Sequence, residues 1–395
     1  MKQSVSTTFS ARKIIVCVSA ALASTSAMAI DFKAGDFDMS INGYLNGYYT
    51  HVSCSGNQAV GTAGAGGLPL GSKGVACGGK DGVTNIGNGL LPNALITSFK
   101  TKQAGVDIGG TFMIGAAISS GDAISNNNNV DIRQSFLTFG TADMGTVKVG
   151  RDYGGFGSDA ILSDMTLVGV GAPVQATQRN RVSLGHIGAG YSYLGHYGQI
   201  TYKSPVMSGV TFSGGLYSPV DSFNNSFQSK NQPQVQLRLN YADAGFKGWA
   251  GLKTQKFYAS ATSPAGTKDF TMNGLEIGGS ASFGDAGVLA NYQTGKGLGI
   301  LADGDTGDLK QDNFLLQGTY KVTPVNKLGL GYGISRMKDG TGLALKDNTN
   351  ITLGLYHSLT PSLTLVAELS RTESKAFSGE KAKASGVALG AMLFF

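Results

Sequence analysis

From residue 36 onward the chain alternates. Residues 36–50 set Phe37, Met39, Ile41, Leu45 and Tyr49 against Asp36, Asp38, Ser40, Asn42, Tyr44, Asn46 and Tyr48. Successive side chains of an extended strand point to opposite faces, so a period of two puts an apolar and a polar surface back to back. The pattern recurs in Val106, Ile108, Phe112 and Ile114 against Asp107 and Thr111, and in Val235, Leu237, Leu239 and Tyr241 against Gln234, Gln236, Arg238 and Asn240. It recurs again in Phe314, Leu316 and Tyr320 against Gln317, Thr319 and Lys321, and in Leu363, Leu365 and Leu369 against Thr364, Glu368 and Ser370. The chain ends on the same rhythm: Val387, Leu389, Ala391, Leu393, Phe395.

The links between these segments alternate in length. Short ones include Ala142-Asp143-Met144-Gly145, Asp243-Ala244-Gly245 and Thr323-Pro324-Val325-Asn326. Long ones, rich in Gly, Asn, Ser and Asp, cover 51–93, 119–129, 152–196, 218–231, 259–269, 298–310, 339–347 and 375–383. Eight long links with seven short ones between them join sixteen strands. Short turns at one end and long loops at the other predict an all-β, antiparallel, up-and-down transmembrane β-barrel. A soluble sandwich would turn its apolar face inward and use more regular loops. Gly43, Gly47, Gly279 and Gly354 suit close backbone approach in curved strands.

Composition removes competing classes. Charged residues are 14% of the 395, against about 25% in an average soluble domain, and 60 are Gly. With 41% apolar residues the chain is not of the disordered type. Gly shows no three-residue period, so collagen is excluded. Beyond the N-terminus there is no apolar run of about 18 residues, as a membrane-spanning helix needs.

The N-terminus changes the charge balance. Lys2, Arg12 and Lys13 precede the apolar stretch Ile14-Ile15-Val16-Cys17-Val18, and Ala27-Met28-Ala29 has the small-x-small form of a cleavage site. Residues 1–29 read as a secretory signal peptide and 30–395 as one barrel domain. Removal of three cations and no anion lowers the net charge from +6 to +3. The basic balance is therefore partly a targeting feature and implies no nucleic-acid partner.

Cys17 belongs to the leader, which leaves Cys54 and Cys77. An even count in an exported chain suggests a disulfide. Two free thiols or half of a metal site are the alternatives. The four histidines (His51, His186, His196, His357) form no cluster with zinc spacing. No cofactor is implied. No G-x-S-x-G elbow is present, so an outer-membrane hydrolase has no sequence support.

The segment around 152–196 carries the most specific motifs. A strand ending Gly150-Arg151-Asp152-Tyr153-Gly154 leads to Ser158-Asp159-Ala160 and Ser163-Asp164-Met165. The preceding strand contains Arg133-Gln134-Ser135-Phe136, and Tyr202-Lys203-Ser204-Pro205 precedes Gly209-Val210-Thr211-Phe212. These residues resemble the general porins of Gram-negative outer membranes. The terminal Phe395 resembles the assembly signal of such barrels. The resemblance implies a third external loop folded into the pore, a homotrimer, contact with outer-membrane lipids and handling by the barrel-assembly machinery.

Carried over position by position, the resemblance places Asp159 and Asp164 as loop acids. It places Arg133 on the wall and Arg151 leading into the loop, with Arg179 and Arg181 as further wall candidates by proximity. Charge across a constriction orders water and sets ion preference. Lys203, Arg238 and Lys321 are expected to line the lumen more generally. The chain departs from the family in two places. Thr166-Leu167-Val168 supplies no additional acid, and Ile96 stands where a wall arginine is often found, with Lys100 or Lys102 as the available substitute. The expected function is a water-filled channel for passive diffusion of small hydrophilic solutes and ions. A substrate-specific channel for a sugar or organic anion is the alternative.

Overall fold

The structure is a computed structural model that describes residues 29–61, 67–119, 130–176, 181–223, 225–261, 263 and 266–395. Sixteen long strands close into one barrel. They are β1 (Phe37–Gly56), β2 (Asn93–Gln103), β3 (Val106–Ala116), β4 (Ser135–Thr141), β5 (Gly145–Tyr153), β6 (His196–Lys203), β7 (Val210–Tyr217), β8 (Gln234–Ala242), β9 (Phe246–Ala259), β10 (Phe270–Phe283), β11 (Ala286–Lys296), β12 (Lys310–Thr323), β13 (Asn326–Met337), β14 (Leu345–Ser358), β15 (Leu363–Ala376) and β16 (Lys381–Phe394). Each pairs antiparallel with its neighbours in sequence, and β16 closes on β1 from Tyr44↔Phe394 to Gly56↔Ala382. A short strand, Ile30–Ala34, pairs with Phe37–Ile41 and continues the line of β16 along β1. Closure leaves no open edge, the condition for a sheet to cross lipid.

The alternation sets which face is which. Leu45 on β1, Leu137 on β4, Ile200 on β6, Leu252 on β9, Ile277 on β10, Leu330 on β13 and Leu389 on β16 are all exposed, as are their equivalents on most other strands. A soluble surface does not carry an apolar band that runs round the whole molecule. Facing acyl chains, the same band is the stabilising surface of a transmembrane barrel. The opposite face holds Tyr48, Thr50, Gln236, Glu276, Gln293, Asn313, Thr352 and Glu368, all buried.

Turns are made by local chemistry. Between β8 and β9, Asp243 accepts the N–H groups of Gly245 and Phe246 at 3.0 and 2.8 Å. These bonds hold its carboxyl below the usual carboxylate range. Between β2 and β3, Gly105 has φ of +83°, a conformation that favours glycine. A Cβ on Gly43 would overlap the carbonyl oxygen of Ala94, so that strand position needs glycine too.

The strands reach further toward the long-link end than the apolar alternation suggested. β1 continues to Gly56, whereas the first long link was expected from residue 51, and β14 and β16 begin at Leu345 and Lys381. The extra rungs pair residues such as Ser53↔Ser385 and Ser55↔Lys383. Outside an apolar band the ladder continues without an apolar signal. The first long link also has structure: a one-turn helix at Lys73–Ala76 and a strand at Gly82–Gly87 that pairs with β1. Cys54 and Cys77 are disulfide-bonded and tie that helix to β1. Nearly all of the leader segment, residues 1–28, lies outside the described residues.

Candidate functional site

The third long link, 154–195, joins β5 to β6. Gly157, with φ of +81°, turns the chain into a short helix at Ser158–Ser163. Asp164 then caps a 3₁₀ turn at Met165–Val168, accepting the Thr166 N–H at 2.9 Å. The link has few regular partners of its own, so its backbone groups must be satisfied elsewhere. They find side chains on the polar faces of the strands. Phe156 N–H donates to Gln236 (2.9 Å), Gly157 N–H to Glu276 (2.8 Å) and Met165 N–H to Gln317 (2.7 Å). Val170 and Gly171 both donate to Glu368 Oε2 at 2.8 Å, and Ser192 N–H donates to Gln293 at 2.8 Å. Tyr48 Oη donates to the Val168 carbonyl at 2.6 Å.

Strand β13 is shaped for this contact. Gly329, Gly331 and Gly333 share its polar face. A Cβ on Gly331 would stand 2.8 Å from the His186 ring, and one on Gly333 would overlap the Ala189 carbonyl oxygen.

The residues singled out in the sequence fall in different places. Asp159 ion-pairs with Arg238 on β8 and accepts from Asn240 Nδ2 at 2.8 Å. Both members of that pair keep about a fifth of their side-chain surface exposed, 22% and 19%. Asp164 is enclosed: its carboxylate meets His186 Nδ1 at 3.0 Å and the Tyr191 hydroxyl at 2.8 Å. Burial by itself would push its carboxyl up. The charge and hydrogen bond of His186, with the bonds from Thr166 and Tyr191, together hold it below the usual range.

Arg133 precedes β4 and is buried, bonded to Asp131 at 2.7 Å, with Tyr44, Tyr153 and Tyr193 close enough to interact with its charge. Arg181 is buried beside Arg133 and Tyr193. Arg151 sits on the face of β5 opposite Lys148 and Asp152, and its Nε donates to the Ile132 carbonyl at 3.0 Å. It therefore braces the base of the second long link. Arg179 lies outside the described residues. Lys203 and Lys321 are exposed on the polar faces of β6 and β12, near the short-turn end. Phe395 closes the ladder by exchanging two backbone bonds with Gly43, at 2.8 and 3.0 Å.

Other charged groups were not singled out. Asp152 is buried, ion-paired with Lys148 and bonded to Gln134. Lys253 on β9 pairs with Asp303 of the sixth long link at 2.7 Å, with 1% and 2% of their side chains exposed. Lys148 and Lys253 were accessible to the parity rule, since they share the polar phase of their strands. Asp303 carried no signal, because a link has no period. Among the described residues no group of three or more His, Cys, Asp or Glu is placed to hold a metal ion.

A closed sixteen-stranded barrel with an apolar outer band and a polar inner face defines an outer-membrane channel. Residues 16–376 match the family described as Gram-negative porin, and the chain belongs to that family. Its fold is similar to the outer membrane channel DcaP of Acinetobacter baumannii (16% identity, TM-score 0.66, covering 92% of this chain and 99% of that one). It is also similar to the anion-selective porin from Comamonas acidovorans (16%, 0.63, 91% and 100%). A third likeness is to Salmonella typhi OmpF in complex with daunomycin (14%, 0.59, 91% and 100%). At these identities the likeness is one of fold. Comparison with curated proteins finds no match. The chain is thus a non-catalytic channel protein, exported to and inserted in the bacterial outer membrane.

Proposed function

We propose that this porin preferentially passes small organic anions, through a lumen narrowed by its third long link. The observation that carries the preference is the charge on the inner face toward the short-turn end. There Lys33 pairs with Asp38 at 3.5 Å, and Lys102 pairs with Asp107 at 3.2 Å. Beyond these pairs the same face carries Lys100, Lys203, Lys247, Lys321 and Lys327 against Asp31, by strand register. A lining of net positive charge raises the local concentration of anions and lowers the barrier they meet on entering. The anion selectivity of the Comamonas acidovorans porin agrees with this reading.

The narrowing is supported by the hydrogen bonds from the third link to Gln236, Glu276, Gln293, Gln317 and Glu368. In this reading the Asp159–Arg238 pair borders the narrowest aqueous passage. Asp164 serves the internal folding of the link, since it has no solvent-facing surface. Assembly as a homotrimer, removal of residues 1–29 on export, and recognition of Phe395 by the assembly machinery belong to the same proposal. The test is planar-bilayer recording in a potassium chloride gradient, followed by solute-swelling assays. Anion-selective reversal and faster uptake of carboxylates than of neutral sugars are expected. Equal uptake of both would return the reading to a general diffusion pore.

A further inference from the structure

The inner face changes character along the barrel axis. On β8 the inward residues run Gln234, Gln236, Arg238 and Asn240 from the long-link end to the short-turn end. Arg238, at the Asp159 pair, is partly wet, while Gln234 and Gln236 are buried. Two inward positions from Arg238 toward the long-link end, Gln234 meets the sixth long link, 297–309. Its Asp303 carboxylate meets three donors from three different strands: Lys253 Nζ on β9 at 2.7 Å, Tyr197 Oη on β6 at 2.9 Å, and Gln234 Nε2 on β8 at 2.9 Å. Lys253 Nζ also donates to Tyr197 Oη at 3.1 Å. The link is seated further by Leu298, packed with Phe156 and Phe270, and by Ile300, packed with Leu70 and Ile187.

The wall supplies every donor and the link supplies the anion. The Lys253 ammonium is buried while the link is seated, and withdrawal of the link would strip it of its counter-charge until another anion replaces it. A second carboxylate could take the place of the first at little cost. A neutral solute could not.

We propose that Lys253, Tyr197 and Gln234 form a carboxylate-binding site that the chain's own Asp303 occupies in this conformation. A solute carboxylate that enters the site releases the sixth long link and clears the passage beside Asp159 and Arg238. This rests on the organic-anion reading for the identity of the solute, and not for the existence of the latch.

The test uses the full-length protein in planar bilayers at symmetric salt, with potassium succinate replacing potassium chloride at matched ionic strength. In wild type, succinate raises open probability. Asp303→Asn keeps the shape of the side chain and loses its charge. It is expected to raise open probability in chloride by about tenfold, in the range for loss of hydrogen bonds to a charged group, and to abolish the response to succinate. Tyr197→Phe, which leaves the ion pair in place, should give a smaller shift in the same direction. Heat-modifiable gel mobility establishes that each variant is a folded barrel. The proposal is overturned if both folded variants gate like wild type, or if wild type responds identically to chloride and succinate. Reversal potential is read separately. A cation-selective channel that Asp303→Asn still opens would sink the organic-anion reading and leave the latch standing.

Discussion

The two halves of the inner face solve different problems with the same sixteen strands. Toward the short turns it carries lysines with solvent around them, Lys100, Lys203, Lys247 and Lys321 among them. Toward the long links it is covered: Gln293, Asn313, Asn350, Thr352 and Thr372 are fully buried, and its charges are buried in pairs such as Lys253–Asp303 or as hydrogen-bonded carboxylates such as Glu368. There the polar side chains act as hydrogen-bonding partners for the backbone of the third long link and for each other. Asn350 Nδ2 donates to Thr372 at 2.9 Å, and Thr352 donates to Asn350 at 2.7 Å. A polar inner face is therefore not one functional class. One half carries solvent-facing lysines, and the other anchors the long links.

The largest effect should come from the outer face, against which both halves are defined. Leu353 is the middle of three exposed apolar residues on β14, between Ile351 and Leu355. Leu353→Arg should destabilise the barrel by about 2–4 kcal/mol, the cost of arginine near the bilayer midplane. The neighbouring inward change Thr352→Ser should cost well under that. Refolding into lipid vesicles against denaturant measures both, and equal losses would contradict the assignment of faces.

Glu368→Ala tests the buried half. It leaves the Val170 and Gly171 N–H groups and the Tyr356 hydroxyl without their acceptor. The expected cost is about 1–3 kcal/mol, as for buried donors left unsatisfied, with faster proteolysis within 154–195. Unaltered proteolysis would mean that the link is held by other contacts.

Asp164 and Asp159 sharpen the contrast within one link. The Asp164 carboxyl is held below its ordinary value of 3.8. A depressed acid contributes stability that is fully present above that ordinary value and is lost as pH falls through the lowered one. The difference in melting temperature between wild type and Asp164→Asn should therefore shrink as pH falls from about 5 to below about 4. A difference that grows on acidification would reverse the sign. Asp159→Asn, by contrast, should leave stability nearly unchanged and shift the reversal potential modestly toward anions. Asp164→Asn should not shift it.

Much of this was legible in the sequence, for a definite reason. Strand phase is periodic away from the register shifts at Lys321/Thr323 and Leu345/Asp347, so Leu237 and Leu239 outward, with Gln236 and Arg238 inward, follow from parity alone. Parity also separates Arg151 from Lys148 and Asp152, although the family motif groups Arg151 with the constriction. The links lack any such rule. Asp159 and Arg238 were each visible as charges, but their meeting across 79 residues depends on where the third link lies. The enclosure of Asp164 depends on His186, 22 residues later. Asp303 has no pattern around it and acquires meaning only beside Lys253. The strand ends beyond the apolar band were missed because polar residues pair there as readily as apolar ones.

The central claim is that the lysine-lined half sets the preference of the channel for anions. Its most direct test is the zero-current potential in a potassium chloride gradient, for wild type and for a variant with Lys100, Lys247 and Lys321 each changed to Glu. Wild type should give an anion-selective potential, and the variant should carry it through zero to cation selectivity. A wild-type potential on the cation side, or one that the three changes leave in place, would contradict the claim.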